Sequence, residues 1–265
     1  MAVAAKATTA GVLAAFVIAG LIGPEVAAAQ SAPSVGNGTL SVQEVGAAKA
    51  AVDDRNDRSK DGWGGTPATA AQLASKEAYM AANKPKSLTT ATTNMLANTH
   101  QGQWYNNYCG PATLVMALGM RGIWKYDQGT FAYWVGISPN NGGTGVDAMG
   151  KQLNDESGGF QYVRVDLPYS PSSSDVAAFK SRLIADTDAG ASLVGNAMEV
   201  YNGPHLVGHP NSGTTIYHWF PFQGYDGDWA AYLDSATTVW SSVPARSGMP
   251  NSTLVTIMGG RGYNW

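Results

Sequence analysis

The chain has 265 residues, 44% of them hydrophobic, which is enough for one large domain or two small ones and excludes a wholly disordered protein. The formal net charge is −3 and no Lys/Arg cluster exceeds a pair, which argues against nucleic-acid binding through phosphate contacts. A single cysteine, Cys109, excludes an intrachain disulfide and any zinc site with two or more cysteine ligands.

The first 29 residues have the pattern of a secretory signal peptide. Lys6 precedes an apolar stretch over residues 7–22, and small residues follow at 27–29. The apolar stretch is shorter than the roughly 20 residues that a transmembrane helix needs. We therefore expect cleavage near Ala29 and a secreted, extracellular mature protein of bacterial type, without a membrane anchor.

Residues 30–86 contain few large apolar side chains, and we interpret them as a flexible leader, pro-segment or linker. An Ala-rich stretch at 68–83 has moderate helix propensity. Aromatic residues become frequent from about residue 87, which places the main domain at 87–265. This boundary predicts that 87–265 folds without the preceding segment.

Hydrophobic periodicity in the main domain predicts helices first and mostly strands later. Helices are predicted over residues 109–120, 126–135, 145–155 and 175–186. Strands are predicted over residues 160–167, 192–200, 215–225, 229–234 and 254–258. The segment 226–228 is predicted to be a turn. This order predicts an α+β fold in which an N-terminal helical part packs on a C-terminal antiparallel sheet.

Cys109 begins a predicted helix, and a thiol in that position is suited to nucleophilic attack. The helix N-terminus offers a positive potential and unpaired backbone N–H groups, which stabilise a thiolate. The alternative for an unpaired cysteine is a small buried hydrophobe. Thiolate attack on a carbonyl creates an oxyanion, and the backbone N–H of Cys109 and the side-chain amide of Gln103 are candidate donors to it.

A nucleophilic cysteine also needs a base, and the base needs an orienting partner. Among the four histidines, His218 is best placed because it lies in a predicted strand and is flanked by aromatic residues. A hairpin with its turn at 226–228 brings Asp234 close to His218, where a carboxylate would fix the tautomer of the imidazole. A core histidine with satisfied hydrogen bonds is the other interpretation of His218.

These residues together resemble the papain-like cysteine peptidases. The pattern is Gln103 six residues before Cys109-Gly110, then His218 followed by Gly224-Tyr225-Asp226 and Asp234. It is most similar to the bacteriocin-processing peptidases, family thirty-nine among the cysteine peptidases, and to their secreted relatives. The resemblance covers roughly residues 95–240 and implies a papain-like fold. It further implies Cys109 as nucleophile, His218 as general base, Asp234 as its orienting residue and Gln103 in the oxyanion hole.

The function that the resemblance implies is a secreted cysteine peptidase-like hydrolase, acting on a peptide or protein substrate without a cofactor or metal. The family often follows its Asp with Pro, whereas Ser235 follows Asp234 here. Its transporter-fused members act inside the cell on leader peptides, so that specificity is not carried over to a chain with an export signal. Loops 136–146 and 201–213 are expected to line the pocket.

Three alternatives stay open on the sequence. The same chemistry would serve a cell-wall-directed amidase or transpeptidase. The many tryptophans also suit a non-catalytic binding or surface module on the same fold. The third alternative is a metal site made of Cys109, His205, His209 and His218. The prolines that flank His205 and His209 argue against a helix there, and therefore against the third alternative.

Overall fold

The computed structural model describes residues 39–55, 63–83 and 92–265 of the chain. The predicted signal peptide, residues 1–29, lies outside these ranges. None of the helices in the described ranges has the length and apolarity that a membrane span requires.

The described residues form helices and strands that alternate irregularly along the chain. The helices are α1 (Val42–Arg55), α2 (Ala70–Ala82), α3 (Cys109–Met120), α4 (Gln128–Trp134), α5 (Val146–Glu156), α6 (Ser173–Asp188) and α7 (Asn251–Met258). The strands are β1 (Thr93–Met95), β2 (Arg164–Asp166), β3 (Val194–Glu199), β4 (Ile216–Asp226), β5 (Trp229–Leu233), β6 (Arg246–Pro250) and β7 (Gly262–Asn264). A short 3-10 helix, Ser235–Thr238, follows β5.

The strands form one sheet in the order β2-β7-β3-β4-β5-β6, with β1 added to β4, and every pairing is antiparallel. Strand β4 is the longest and pairs with β3 through residues 216–221. A two-residue turn links β4 to β5, with Gly227 at a φ of +58°, a conformation that glycine adopts without strain. The predicted α+β fold with an antiparallel sheet is confirmed.

Helix α3 is the central helix of the domain and packs against α4, α5 and β4. All of its residues after Cys109 are buried. Its sequence carries no charged residue and is apolar around its whole circumference, which is typical of a helix enclosed by other elements. The observed bounds are those predicted from the sequence. Because the helix is enclosed, its first residue has a fixed position relative to β4.

Helix α1 lies within residues 30–86, for which the sequence predicts a flexible leader. Its Lys49 is buried and donates from Nζ to three carbonyl groups at the end of α7, those of Thr256, Ile257 and Gly259. The last carbonyls of a helix have no partner within it, and a cation there is favourable. The prediction of flexibility is therefore wrong for α1, because a buried side chain attaches it to the domain.

The same contact explains why residues 254–258 are not a strand. The β-branched residues Val255, Thr256 and Ile257 favour extended structure, but all five residues lie in α7 and are buried. Lys49 satisfies carbonyl groups at the C-terminal end of that helix. The sequence prediction of a last strand is wrong here, since the stabilising group is about 200 residues away in the chain.

Helix α2 confirms the helix propensity of residues 68–83 and is also attached to the domain. Its Lys76 is fully buried, lies 3.2 Å from Asp186 Oδ1 and donates to the carbonyl of Gln161 at 2.6 Å. Its ammonium group also lies 3.9 Å from the ring centre of Phe160. The described residues, from 39 onward, all belong to one compact unit. Cleavage of a pro-segment stays a prediction.

Replacement of Lys76 by Met is expected to lower the free energy of unfolding by about 3 kcal/mol, because it leaves the Asp186 carboxyl buried without its ion pair. Urea denaturation measures this change. The double variant Lys76→Met/Asp186→Leu removes both charges and is expected to recover most of the loss. A single variant as stable as the parent would show that the ion pair contributes nothing.

Candidate active site

Cys109 is the first residue of α3 and is partly buried. The preceding residue, Tyr108, gives the helix no side-chain cap, so the first N–H groups of α3 are not occupied by a capping side chain. Gly110 packs against Thr144, and a Cβ at position 110 would overlap that side chain. The Cys-Gly pair therefore lets the loop containing Thr144 approach the thiol closely.

One side chain fixes this loop beside the thiol. Asn107, two residues before Cys109, donates from Nδ2 to three carbonyls at 2.9–3.1 Å, those of Ser138, Asn141 and Gly142. Its Oδ1 accepts the backbone N–H of Asn140 at 3.0 Å. The loop predicted to line the pocket, residues 136–146, is thus attached directly to the turn that carries the thiol.

His218 and Asp234, predicted to be neighbours across a hairpin, are in contact. His218 lies on β4 opposite Ala197 of β3, and its Nε2 is 2.9 Å from Asp234 Oδ1. Asp234 directly follows β5, and its Oδ1 also accepts the backbone N–H of Ala236 at 2.8 Å. Both side chains are buried. Since Nε2 faces the carboxylate, Nδ1 is the ring nitrogen left for the Cys109 thiol.

The three groups shift one another's pKa values in the directions expected for a thiolate–imidazolium pair. Burial opposes ionisation of Cys109, but the hydrogen bond and the charge of His218 outweigh it and lower the pKa of the thiol. Burial likewise opposes the imidazolium, yet the Asp234 carboxylate and the thiol raise the pKa of His218 well above its ordinary value. Despite its burial, the pKa of Asp234 is lowered by the neighbouring imidazoles.

Gln103 is buried, and its amide is engaged by neighbouring groups. Its Nε2 donates to the carbonyls of Tyr105 at 3.0 Å and Asn106 at 2.8 Å. Its Oε1 accepts the hydroxyl of Ser235 at 3.1 Å, which fixes the orientation of the amide. The sequence predicts this amide as an oxyanion donor, whereas in the structure its N–H groups hold the loop before α3.

Behind Asp234 lie His205 and His209, which the sequence offered only as ligands of the alternative metal site, and Glu199, which sequence reasoning did not assign to the site. His209 Nε2 lies 3.0 Å from Asp234 Oδ2, and His209 Nδ1 lies 3.0 Å from Glu199 Oε1. His205 Nδ1 lies 2.7 Å from Glu199 Oε2. All of these side chains are buried. The sequence shows His205 and His209 in a Gly/Pro-rich loop, and nothing in that loop indicates which carboxylate each one meets.

This arrangement also bears on the metal site that the sequence left as an alternative. His209, His218 and Asp234 offer ligand atoms within 4.8 Å of one another. Each imidazole nitrogen, however, lies at hydrogen-bond distance from a different oxygen of Asp234. Cys109 and His205 of the predicted metal site are not in this group, and its three members form close imidazole–carboxylate contacts.

Two solved structures are similar to this chain. One is the peptidase domain of Streptococcus ComA, a bifunctional ABC transporter involved in a quorum-sensing pathway. It is 12% identical with a TM-score of 0.42, over 64% of this chain and 97% of that one. The other, described as a peptidase like those of family thirty-nine, is from Bacillus anthracis. It is 12% identical with a TM-score of 0.41, over 65% of this chain and 96% of that one.

No family model and no curated protein matches the chain. Both similar structures are described as peptidases. At 12% identity and TM-scores of 0.42 and 0.41, this similarity carries no argument about activity. What this chain does is therefore argued from its own side chains.

Proposed function

We propose that the chain is a cysteine peptidase-like hydrolase, with Cys109 as nucleophile, His218 as general base and Asp234 as the residue that orients His218. The observation that carries the proposal is the 2.9 Å contact of His218 Nε2 with a buried carboxylate. This contact leaves the other face of the imidazole for the thiol at the head of α3. The N-terminal signal pattern supports an extracellular site of action.

The proposed reaction is acyl transfer through a thioester. The Cys109 thiolate attacks the amide carbonyl, and the imidazolium of His218 gives its proton to the leaving amine. Water then attacks the thioester while His218 takes up a proton, and the thiolate leaves. Attack by an amine instead of water would give the transpeptidase that the sequence left open, through the same intermediate.

The oxyanion requires donors near the thiol, and the N–H groups at the start of α3 are suited to this role. We propose Gln103 as the second donor. To act in this way, its Nε2 would exchange its bond to the carbonyl of Tyr105 or Asn106 for one to the oxyanion. That exchange is favourable because a charged acceptor forms a stronger hydrogen bond than a neutral carbonyl.

Alkylation of the thiol tests the proposal without knowledge of the substrate. Cys109 is the only thiol in the chain, so iodoacetamide uptake measured by mass spectrometry reports on it alone. At about pH 6 an ordinary thiol is almost wholly protonated, whereas a thiol paired with an imidazolium is ionised. We expect rapid labelling of the native protein and at least about tenfold slower labelling of His218→Ala.

The matched control is the same chain unfolded in urea, in which the thiol has its ordinary reactivity. Cys109→Ser should take up no label and should not cleave a fluorogenic peptide library that the parent cleaves. A native thiol that reacts no faster than the unfolded one, and that is unaffected by His218→Ala, would overturn the enzymatic proposal. It would favour the non-catalytic module instead.

A further inference from the structure

His209 lies between two buried carboxylates, one at each ring nitrogen. Its Nδ1 is 3.0 Å from Glu199 Oε1, and its Nε2 is 3.0 Å from Asp234 Oδ2. The His209 and Glu199 side chains have no exposed surface, and Asp234 has almost none. Both contacts are therefore direct and shielded from bulk solvent.

The donors and acceptors around His209 indicate the charge of its ring. An ionised carboxylate only accepts hydrogen bonds, and a neutral imidazole has only one N–H donor. The carboxylates already accept other donors: Glu199 accepts the N–H of Leu206 and faces His205, and Asp234 accepts the N–H of Ala236. Glu199 and Asp234 both have lowered pKa values, and with both carboxylates ionised the two acceptors facing the ring are each matched by a donor only when both nitrogens of His209 carry protons, as in an imidazolium.

We propose that His209 is a permanently charged positioning residue, which holds the Asp234 carboxylate against His218 and sets the pH range of the Cys109–His218 ion pair. This inference rests on the proposed function, since it assigns a role within the same site. In this arrangement Asp234 is the shared partner of two imidazoliums, those of His209 and His218. Glu199 is the second negative charge, and it allows both imidazoliums to be buried.

The groups packed around His209 are consistent with this balance of charge. The ring of His218 on β4 is 5.0 Å from that of His209 between centres, and the indole of Trp240 lies at 4.9 Å. His205 contacts the far oxygen of Glu199, and Lys49 of α1 acts on the same carboxylate through its charge. The Tyr232 hydroxyl accepts the N–H of Val207 in the loop that carries His209.

Additional support comes from the direction of the pKa shifts. Burial disfavours the charged ring, yet Glu199 and Asp234 together raise the pKa of His209. The charge of His218 acts in the opposite direction on His209. By reciprocity, the His209 charge opposes the charge on His218 and therefore lowers the pH at which the ion pair is lost.

The charge state is tested directly on the full-length protein by NMR with ¹⁵N-labelled histidine. The ring of His209 is identified by its contact with the Trp240 indole. At about pH 8, where an ordinary histidine is neutral, we expect both His209 nitrogens to show the chemical shifts of a protonated ring. A neutral His209 at that pH would overturn the proposal, and this readout does not depend on catalysis.

The effect on the ion pair is tested by the pH dependence of Cys109 alkylation. The rate changes once when the thiol ionises and again when His218 loses its proton. In His209→Gln the amide still reaches Asp234 but the positive charge is gone, so both steps should move to higher pH. A unit charge at this distance shifts the upper step by about two pH units, and the lower step by less.

The double variant His209→Gln/Glu199→Gln distinguishes charge from packing. It removes one positive and one negative charge, so both steps should return towards the pH values of the parent. If His209 acted only through packing, removing the Glu199 charge would not move the steps back towards the parent values. The matched control is His205→Gln, which removes a buried imidazole on the same Glu199 but not one on Asp234, and should shift the steps much less.

The outcomes separate this inference from the proposed function. If His218→Ala slows alkylation but the His209→Gln profile overlays that of the parent, the role of His209 is overturned and the proposed function stands. If the two steps in the double variant do not move back towards the pH values of the parent, the charge-balance argument is overturned. If His218→Ala has no effect, the proposed function fails and the role assigned to His209 fails with it.

Discussion

A chain that begins at residue 87 is expected not to fold, although the composition of the sequence favours a domain boundary there. The truncation removes Lys49 from the carbonyls at the end of α7 and Lys76 from Asp186. It also removes Trp63, which is buried at 5.8 Å from the ring of Trp219, the neighbour of His218. The unpaired buried carboxyl costs about 3–5 kcal/mol. The uncapped end of α7 and the lost apolar contacts of Trp63 add to this cost, and the total is comparable with the roughly 5–15 kcal/mol stability of a typical domain.

The measurement compares residues 30–265 with residues 87–265 by circular dichroism and urea denaturation. The longer chain should show a cooperative transition, and the shorter one should be insoluble or lack a transition. An intermediate chain from residue 63 keeps α2 and loses α1, and should be partly destabilised. A folded, cooperative 87–265 would show that the N-terminal helices only rest on a self-sufficient domain.

Replacement of Asp234 by Asn is expected to lower the rate of thiol alkylation near neutral pH by about a hundredfold or more. One carboxylate oxygen becomes an NH₂ donor and then faces the N–H of either His209 or His218. The imidazolium of His218 also loses its counter-charge. The pKa of His218 should fall, since Asp234 is the group that raises it against burial, and the thiolate loses its partner.

The same substitution should also destabilise the fold by about 3 kcal/mol or more, because it leaves buried histidines without a compensating charge. Alkylation is therefore measured under conditions in which the variant is shown to be folded. The control is Asp186→Asn, which removes a buried carboxylate paired with Lys76 outside the site. It should lose stability but keep the alkylation rate of the parent. Equal rates in Asp234→Asn and the parent would exclude Asp234 as the orienting residue.

Local sequence patterns predict an element correctly where the residues that stabilise it are close in the chain. The apolar sequence of α3 and its Cys-Gly start predict its observed bounds. The Asp226-Gly227-Asp228 segment predicts the hairpin that brings His218 to Asp234. In contrast, the strand predicted over 160–167 is shortened to β2, because the Asn154 side chain binds both main-chain groups of Tyr162.

Local sequence patterns are enough to predict the α+β class, the position of Cys109 at a helix start and the contact of His218 with Asp234. Each of these depends on periodicity or on a short turn, which are properties of neighbouring residues. Packing in three dimensions, by contrast, makes the N-terminal helices part of the fold and places His209 and Glu199 behind Asp234. These contacts join buried charged side chains from distant segments of the chain. Which charge meets which is set by the packing of those segments, and no local sequence pattern encodes it.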